Sequence, residues 1–147
     1  LGTGGLVRAY GGTAEACLAG ASGVAASPAR SLLRARYAGE DASDADNNRR
    51  LLEALSEQTD RRAFFFCCMV FLSSAQDPTP LIATAQWHGE ILQAPRGDGG
   101  FGYDPLFWLP EHQQSAAQLP KATKNTISHR GQACAKLVAA LHVHADA

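Results

Sequence analysis

Two stretches of the chain bring together residue types able to recognise a flat, anionic ligand. The first is Gly97-Asp98-Gly99-Gly100-Phe101-Gly102-Tyr103-Asp104-Pro105. Its four glycines permit positive φ and close backbone approach, and its two aromatic rings offer faces on which a planar base can stack. The same pattern suits a glycine-rich hairpin loop whose rings simply cap the core. No Gly-Lys-Ser/Thr follows, so the stretch is not a phosphate loop. The second runs from Lys121 to Gly131 and contains Lys124, His129 and Arg130. From His112 to Ala145 there is no Asp or Glu, while Lys121, Lys124, Arg130 and Lys136 give a local excess of four positive charges. Lys124, His129 and Arg130 fall at or just before the start of a helix, whose first N–H groups and dipole favour an anion. A phosphate site and a solvated basic face both fit that run. Together the two stretches point to a nucleotide, with the aromatic loop for the base and the cationic segment for base edge or phosphates.

Other groupings have simpler explanations. His142-Val143-His144 with Asp146 has metal-ligand types, but a fraying helix end accounts for it; His88 beside Trp87 reads as a half-exposed strand residue. Glu40, Asp41, Asp44 and Asp46 form an acidic stretch that N-capping of a helix explains.

The elements that must position these residues follow from patterning. From Asp44, N-cap residues lead into Leu51, Leu52 and Leu55 on one face, an amphipathic helix of about three turns. Ala63 to Leu72 is an unbroken apolar run suited to a strand buried on both faces. Leu81 to Gln93 follows the turn Asp77-Pro78-Thr79-Pro80 and should pair with it as an antiparallel hairpin. Pro95 to Pro105 is loop, Phe107 to Leu109 a short strand and Ser115 to Leu119 a helical turn. A last helix starts near Ser128, with Cys134, Leu137, Val138 and Leu141 on one face. Strands mixed with helices place the chain among α/β or α+β domains.

Composition sets the outer bounds. The 147 residues carry 13 basic and 14 acidic side chains, a net charge of −1, which gives no global attraction to nucleic acid. No apolar run approaches the roughly 20 residues that span a bilayer, and no secretory leader pattern stands at the start, so no membrane association is expected. The four cysteines form no C-x-x-C pair, which suits a reducing cytoplasmic compartment. Seven of the 14 glycines lie in the first 23 residues, and charges return in number only after Leu33.

Three blocks then carry a resemblance. Ala35-Arg36-Tyr37-Ala38-Gly39-Glu40-Asp41, Gly99 to Phe107 and Ile127-Ser128-His129-Arg130-Gly131-Gln132-Ala133 resemble, in family order, the RdgB-type inosine/xanthosine triphosphate pyrophosphatases. The resemblance covers about residues 34–145. It implies an α/β fold with a mixed elongated sheet and flanking helices, here incomplete at the N-terminus, usually in a homodimer. It also implies magnesium-dependent removal of pyrophosphate from ITP, dITP and XTP. By the same resemblance Phe101, Gly102, Tyr103, Asp104, Lys124, His129 and Arg130 would bind the purine nucleotide. The chemistry agrees in one respect: arginine only donates, so Arg130 can satisfy a 6-keto oxygen but not the 6-amino group of adenine. Guanine also has an acceptor at that position, so its exclusion needs other contacts.

The front of the chain departs from that family. Its members open with a Thr-Gly-Asn-x-x-Lys turn, then a metal-binding Glu, then an Asp-Asp-Ser-Gly motif whose aspartate binds metal and activates water. Residues 1–33 contain none of these, and Glu15 is their one carboxylate. No position is therefore assigned as catalytic or metal-ligating. Leu1 to Gly12 resembles instead a signature of the IMPACT (YigZ-type) family, implicated in translation-linked regulation. The expected organisation is an IMPACT-like fragment over 1–20, a junction of neither family over 21–33 and the C-terminal part of a purine triphosphate pyrophosphatase over 34–147. With no methionine before Met69, the chain reads as a fragment joined to a truncated body. The expected function is hydrolysis of deaminated purine triphosphates, impaired by the missing aspartate motif. The alternatives are a non-enzymatic translation-regulator fragment or an inert chimeric product. Loss of the first strands should also leave the Ala63 to Gln93 hairpin with an exposed edge.

Overall fold

A computed structural model describes residues 6–11, 37–39 and 41–145; of residues 6–11, 144 and 145 the backbone alone is described. The order of elements is β1 (Leu6–Gly11), α1 (Asp44–Ala54), β2 (Arg62–Leu72), β3 (Leu81–Ile91), β4 (Phe107–Leu109), β5 (Gln114–Ser115), α2 (Lys121–Ile127) and α3 (His129–Ala145). The strands form one sheet in the order β1-β2-β3-β4-β5, antiparallel at each pairing. Helices flank this sheet, a mixed helix-and-strand arrangement within the α/β or α+β choice that the patterning left open.

The β2–β3 hairpin is its spine, in register from Arg62 opposite Glu90 to Phe71 opposite Leu81. Asp77 closes the turn by accepting the N–H groups of Ser73 and Thr79, each at 2.8 Å. Contrary to expectation, β2 is not buried on both faces along its length. Phe65, Cys67 and Met69 point into the core, whereas Phe64 and Phe66 point to the opposite face and keep 45% and 38% of their surface exposed. Nor is β2 an edge, since Leu6–Gly11 pairs along Leu72–Cys67.

Two hydrophobic clusters line the inner face. Cys67, Met69, Ala83 and Ala85 receive Ala133 and Leu137 of α3; small side chains there let the helix lie close on the strands. Leu51, Trp87, Ile91, Leu106, Phe107, Leu109, Ala116 and Leu119 form the second cluster. Helix α1 reaches it through Leu51, 2% exposed. Its start is fixed by a capping box in which Ser43 Oγ accepts the Asp46 N–H and the Asp46 carboxylate accepts the Ser43 N–H. The cap is thus Ser43, within the acidic stretch and one residue ahead of Asp44.

Two local expectations fail. Ser115 lies in β5 rather than in a helical turn, because residues 114 and 115 return antiparallel against Trp108 and Leu109, and a turn follows only afterwards. Lys121–Ile127 is a helix of its own that the charge run concealed.

Candidate functional site

The glycine-rich loop leaves β3 and returns to β4, tied at its base where the Arg96 N–H donates to the Pro105 carbonyl at 2.8 Å. The Ser115 hydroxyl donates to the Arg96 carbonyl at 2.5 Å, anchoring the loop to β5. Gly97, Gly100 and Gly102 take positive φ, as their residue type allows; Gly99 does not. Gly100, at φ 76°, is the critical one, because a Cβ there would collide with the Asp104 carboxylate. That carboxylate folds back beneath the loop, accepts the Phe101 N–H at 2.7 Å and forms an ion pair with Lys124. Asp104 is 4% exposed, so the pairing compensates a charge that would otherwise be costly to bury.

Lys124 reaches this carboxylate from inside α2, not from the approach to the last helix. Ser128 joins α2 to α3: its N–H donates to the Lys124 carbonyl at 3.0 Å and its hydroxyl accepts the Gly131 N–H at 3.2 Å. Ser128 thus caps one amide of the α3 start, that of Gly131, and the side chains of Lys124 and Arg130 carry positive charge beside it. Ser128, 6% exposed, reads from sequence only as the start of the last helix; a serine at that place is a favoured N-cap. At Gly131 a Cβ would strike the Asn125 carbonyl, so the tight α2–α3 junction needs a glycine.

The two stretches converge. The Arg130 Cζ lies 4.7 Å and the Lys124 Nζ 5.2 Å from the centre of the Phe101 ring, itself 57% exposed. Phe101, Gly102, Tyr103, Asp104, Lys124, His129 and Arg130 all line one cleft of about 1170 Å³. His129 lies beneath, stacked on Phe65 at 4.9 Å with 16° between the planes. Burial, reinforced by the Arg130 charge, pushes its imidazole down to about 4, so the ring is neutral near pH 7. His129 Nδ1 and Arg130 Nε are buried without a hydrogen-bond partner. Unpaired polar atoms on consecutive residues in a cleft are where a ligand with complementary groups recovers the cost of their burial. Burial also raises the Tyr103 hydroxyl to about 12, so it stays protonated.

Among the described residues no group of three or more His, Cys, Asp or Glu side chains is placed to hold a metal ion. Asp104, the carboxylate deepest in the cleft, is committed to Lys124 and Phe101. The described residues therefore do not fit the magnesium that the resemblance implies. His142 is exposed on α3, and Glu40, the His144 side chain and Asp146 lie outside the described residues. His88 is exposed on β3, tilted against Phe64 at 5.5 Å. Of the IMPACT-like stretch, only the backbone of Leu6–Gly11 is described. No helix among the described residues is long and apolar enough to cross a membrane.

Comparison with known proteins adds an independent line. A family profile described as the Ham1 family matches residues 17–140, starting ahead of the three blocks. The chain is 52% identical over 130 residues to a dITP/XTP pyrophosphatase of Aromatoleum aromaticum, covering 88% of this chain and 62% of that protein. It is 52% identical over 124 residues to a dITP/XTP pyrophosphatase of Nitrosomonas europaea, covering 82% and 61%. The chain thus spans about three-fifths of the length of these relatives. Its structure superposes on that of a HAM1 protein from Coxiella burnetii with a TM-score of 0.77 and 41% identity, over 94% of this chain and 67% of the other.

Proposed function

The chain belongs to the Ham1 family, and from that premise we propose that its cleft recognises deaminated purine nucleoside triphosphates, dITP, ITP and XTP, as substrates for conversion to monophosphate and pyrophosphate. The observation that carries this reading is the convergence of the Lys124 ammonium, 5.2 Å, and the Arg130 guanidinium, 4.7 Å, on the centre of the Phe101 ring in one cleft. An exposed aromatic face suits a planar base. Arg130 can only donate and so matches a 6-keto oxygen, while neutral His129 offers one donor and one acceptor to a base edge. Lys121 and Lys124, both lining the cleft, supply charge for phosphates.

What the described residues contribute is binding and orientation. They offer no ligand set for magnesium, so no step is derived through it, and we expect this chain to hydrolyse its substrate slowly. A homodimeric state and a reducing cytoplasmic setting, with Cys67 and Cys134 as free thiols, belong to the same proposal.

Calorimetric titration with ITP and with ATP tests the reading. ITP should bind roughly a hundredfold more tightly, because an amino group opposite Arg130 leaves buried donors unpaired at a cost of about 2–3 kcal/mol. Arg130→Ala should remove most of that preference. Equal affinities in the wild-type chain would overturn the assignment.

A further inference from the structure

Helix α1 has a second role beyond packing: we propose that Asp44 and Asn48, one turn apart on it, are positioning residues that hold the Phe101 ring in place over the cleft. The Asp44 carboxylate accepts the Gly102 N–H at 2.7 Å. Asn48 Nδ2 donates to the Gly102 carbonyl at 3.1 Å. Within the loop, Asp104 accepts the Phe101 N–H at 2.7 Å, and its own N–H donates to the Phe101 carbonyl at 3.2 Å. Each of the three successive peptide groups between Gly100 and Tyr103 is therefore held by at least one hydrogen bond, which sets the backbone angles of Phe101 and Gly102.

Such restraint is needed because packing does not supply it. The Phe101 ring is largely exposed, and a glycine-rich loop left to itself samples many conformations. Asp104 belongs to the loop itself and ties it to α2 through Lys124. Asp44 and Asn48 belong to an element fixed independently, by its capping box at one end and by Leu51 in the core. They connect the loop to the rigid body across 58 and 54 residues of sequence. A ring held ready for a base spares the ligand the cost of ordering the loop. Removing the grip should lower affinity in proportion to the fraction of molecules with the loop in place.

The consequence for affinity rests on the nucleotide reading above; the geometry does not. The test uses the full chain with Asp44→Ala, Asn48→Ala, the double variant, and Asp44→Asn, which keeps an acceptor oxygen. Hydrogen exchange of the Phe101 and Gly102 amides is followed by NMR, and affinity is measured for ITP and for inorganic tripolyphosphate, which lacks a base. The double variant should exchange faster at Gly102 and bind ITP about tenfold more weakly, as when the competent loop population falls to roughly a tenth. Its affinity for tripolyphosphate and its melting temperature should stay close to wild type, and Asp44→Asn should recover exchange protection. Unchanged exchange in the double variant overturns the inference, as does a parallel loss of tripolyphosphate binding. A wild-type chain that fails to bind ITP speaks against the nucleotide reading instead, and the exchange measurement still decides the clamp.

Discussion

At the residue scale, His129 couples the site to stability. Its ring is 9% exposed, stacks on Phe65 and titrates near 4 in the folded chain, against about 6.5 when unfolded. On acidification the unfolded chain takes up this proton first. The contribution is therefore complete above pH 6.5 and lost as pH falls through 4, by up to about 3 kcal/mol. Urea unfolding at pH 7 and pH 4.5 should show the loss, and His129→Phe should flatten it; an identical slope in the variant would show that other groups are responsible. The seven proposed binding residues lie in two short runs that the sequence set apart, and the family resemblance named them; the structure brings them to one cleft. The role of Asp44 and Asn48 was not legible in sequence, because their partner Gly102 lies more than fifty residues away and only tertiary packing brings them to it.

Elements were legible where one physical signal dominates. The apolar run of β2, the Asp-Pro turn and the alternation of β3 fix the hairpin, and the observed pairing follows them. The reading failed where signals compete. Lys121–Ile127 lacks an apolar face and a side-chain cap, so its helicity depends on packing against its neighbours. Ser115 is in a strand because β4 offers it a ladder, which propensity does not reveal. The α2–α3 junction is where an element-scale change should propagate to the site. Gly131→Ala must push the Asn125 carbonyl aside, shifting Lys124 relative to Arg130. A lower melting temperature together with weaker ITP binding is expected. Full retention of both would mean that the junction adjusts freely.

At the scale of the whole molecule, the described residues form the proposed recognition cleft without a carboxylate cluster to bind metal or activate water. Pyrophosphate release from dITP with magnesium should accordingly be at least about a thousandfold slower than in a full-length relative, the order of loss that follows removal of one essential catalytic group. Comparable rates would show that the chain activates water with groups outside the described residues. The proposed recognition draws on described parts: the loop, α2 and the first turn of α3 share one cleft, and the two hydrophobic clusters hold them against the same face of the sheet. The most direct test is an intermolecular nuclear Overhauser experiment on the full chain with ITP. Protons H2 and H8 of the base should show contacts to the Phe101 ring and also to the side chain of Arg130 or Lys124. Contacts to neither, or to the ring alone with the cations untouched, would contradict the single shared cleft.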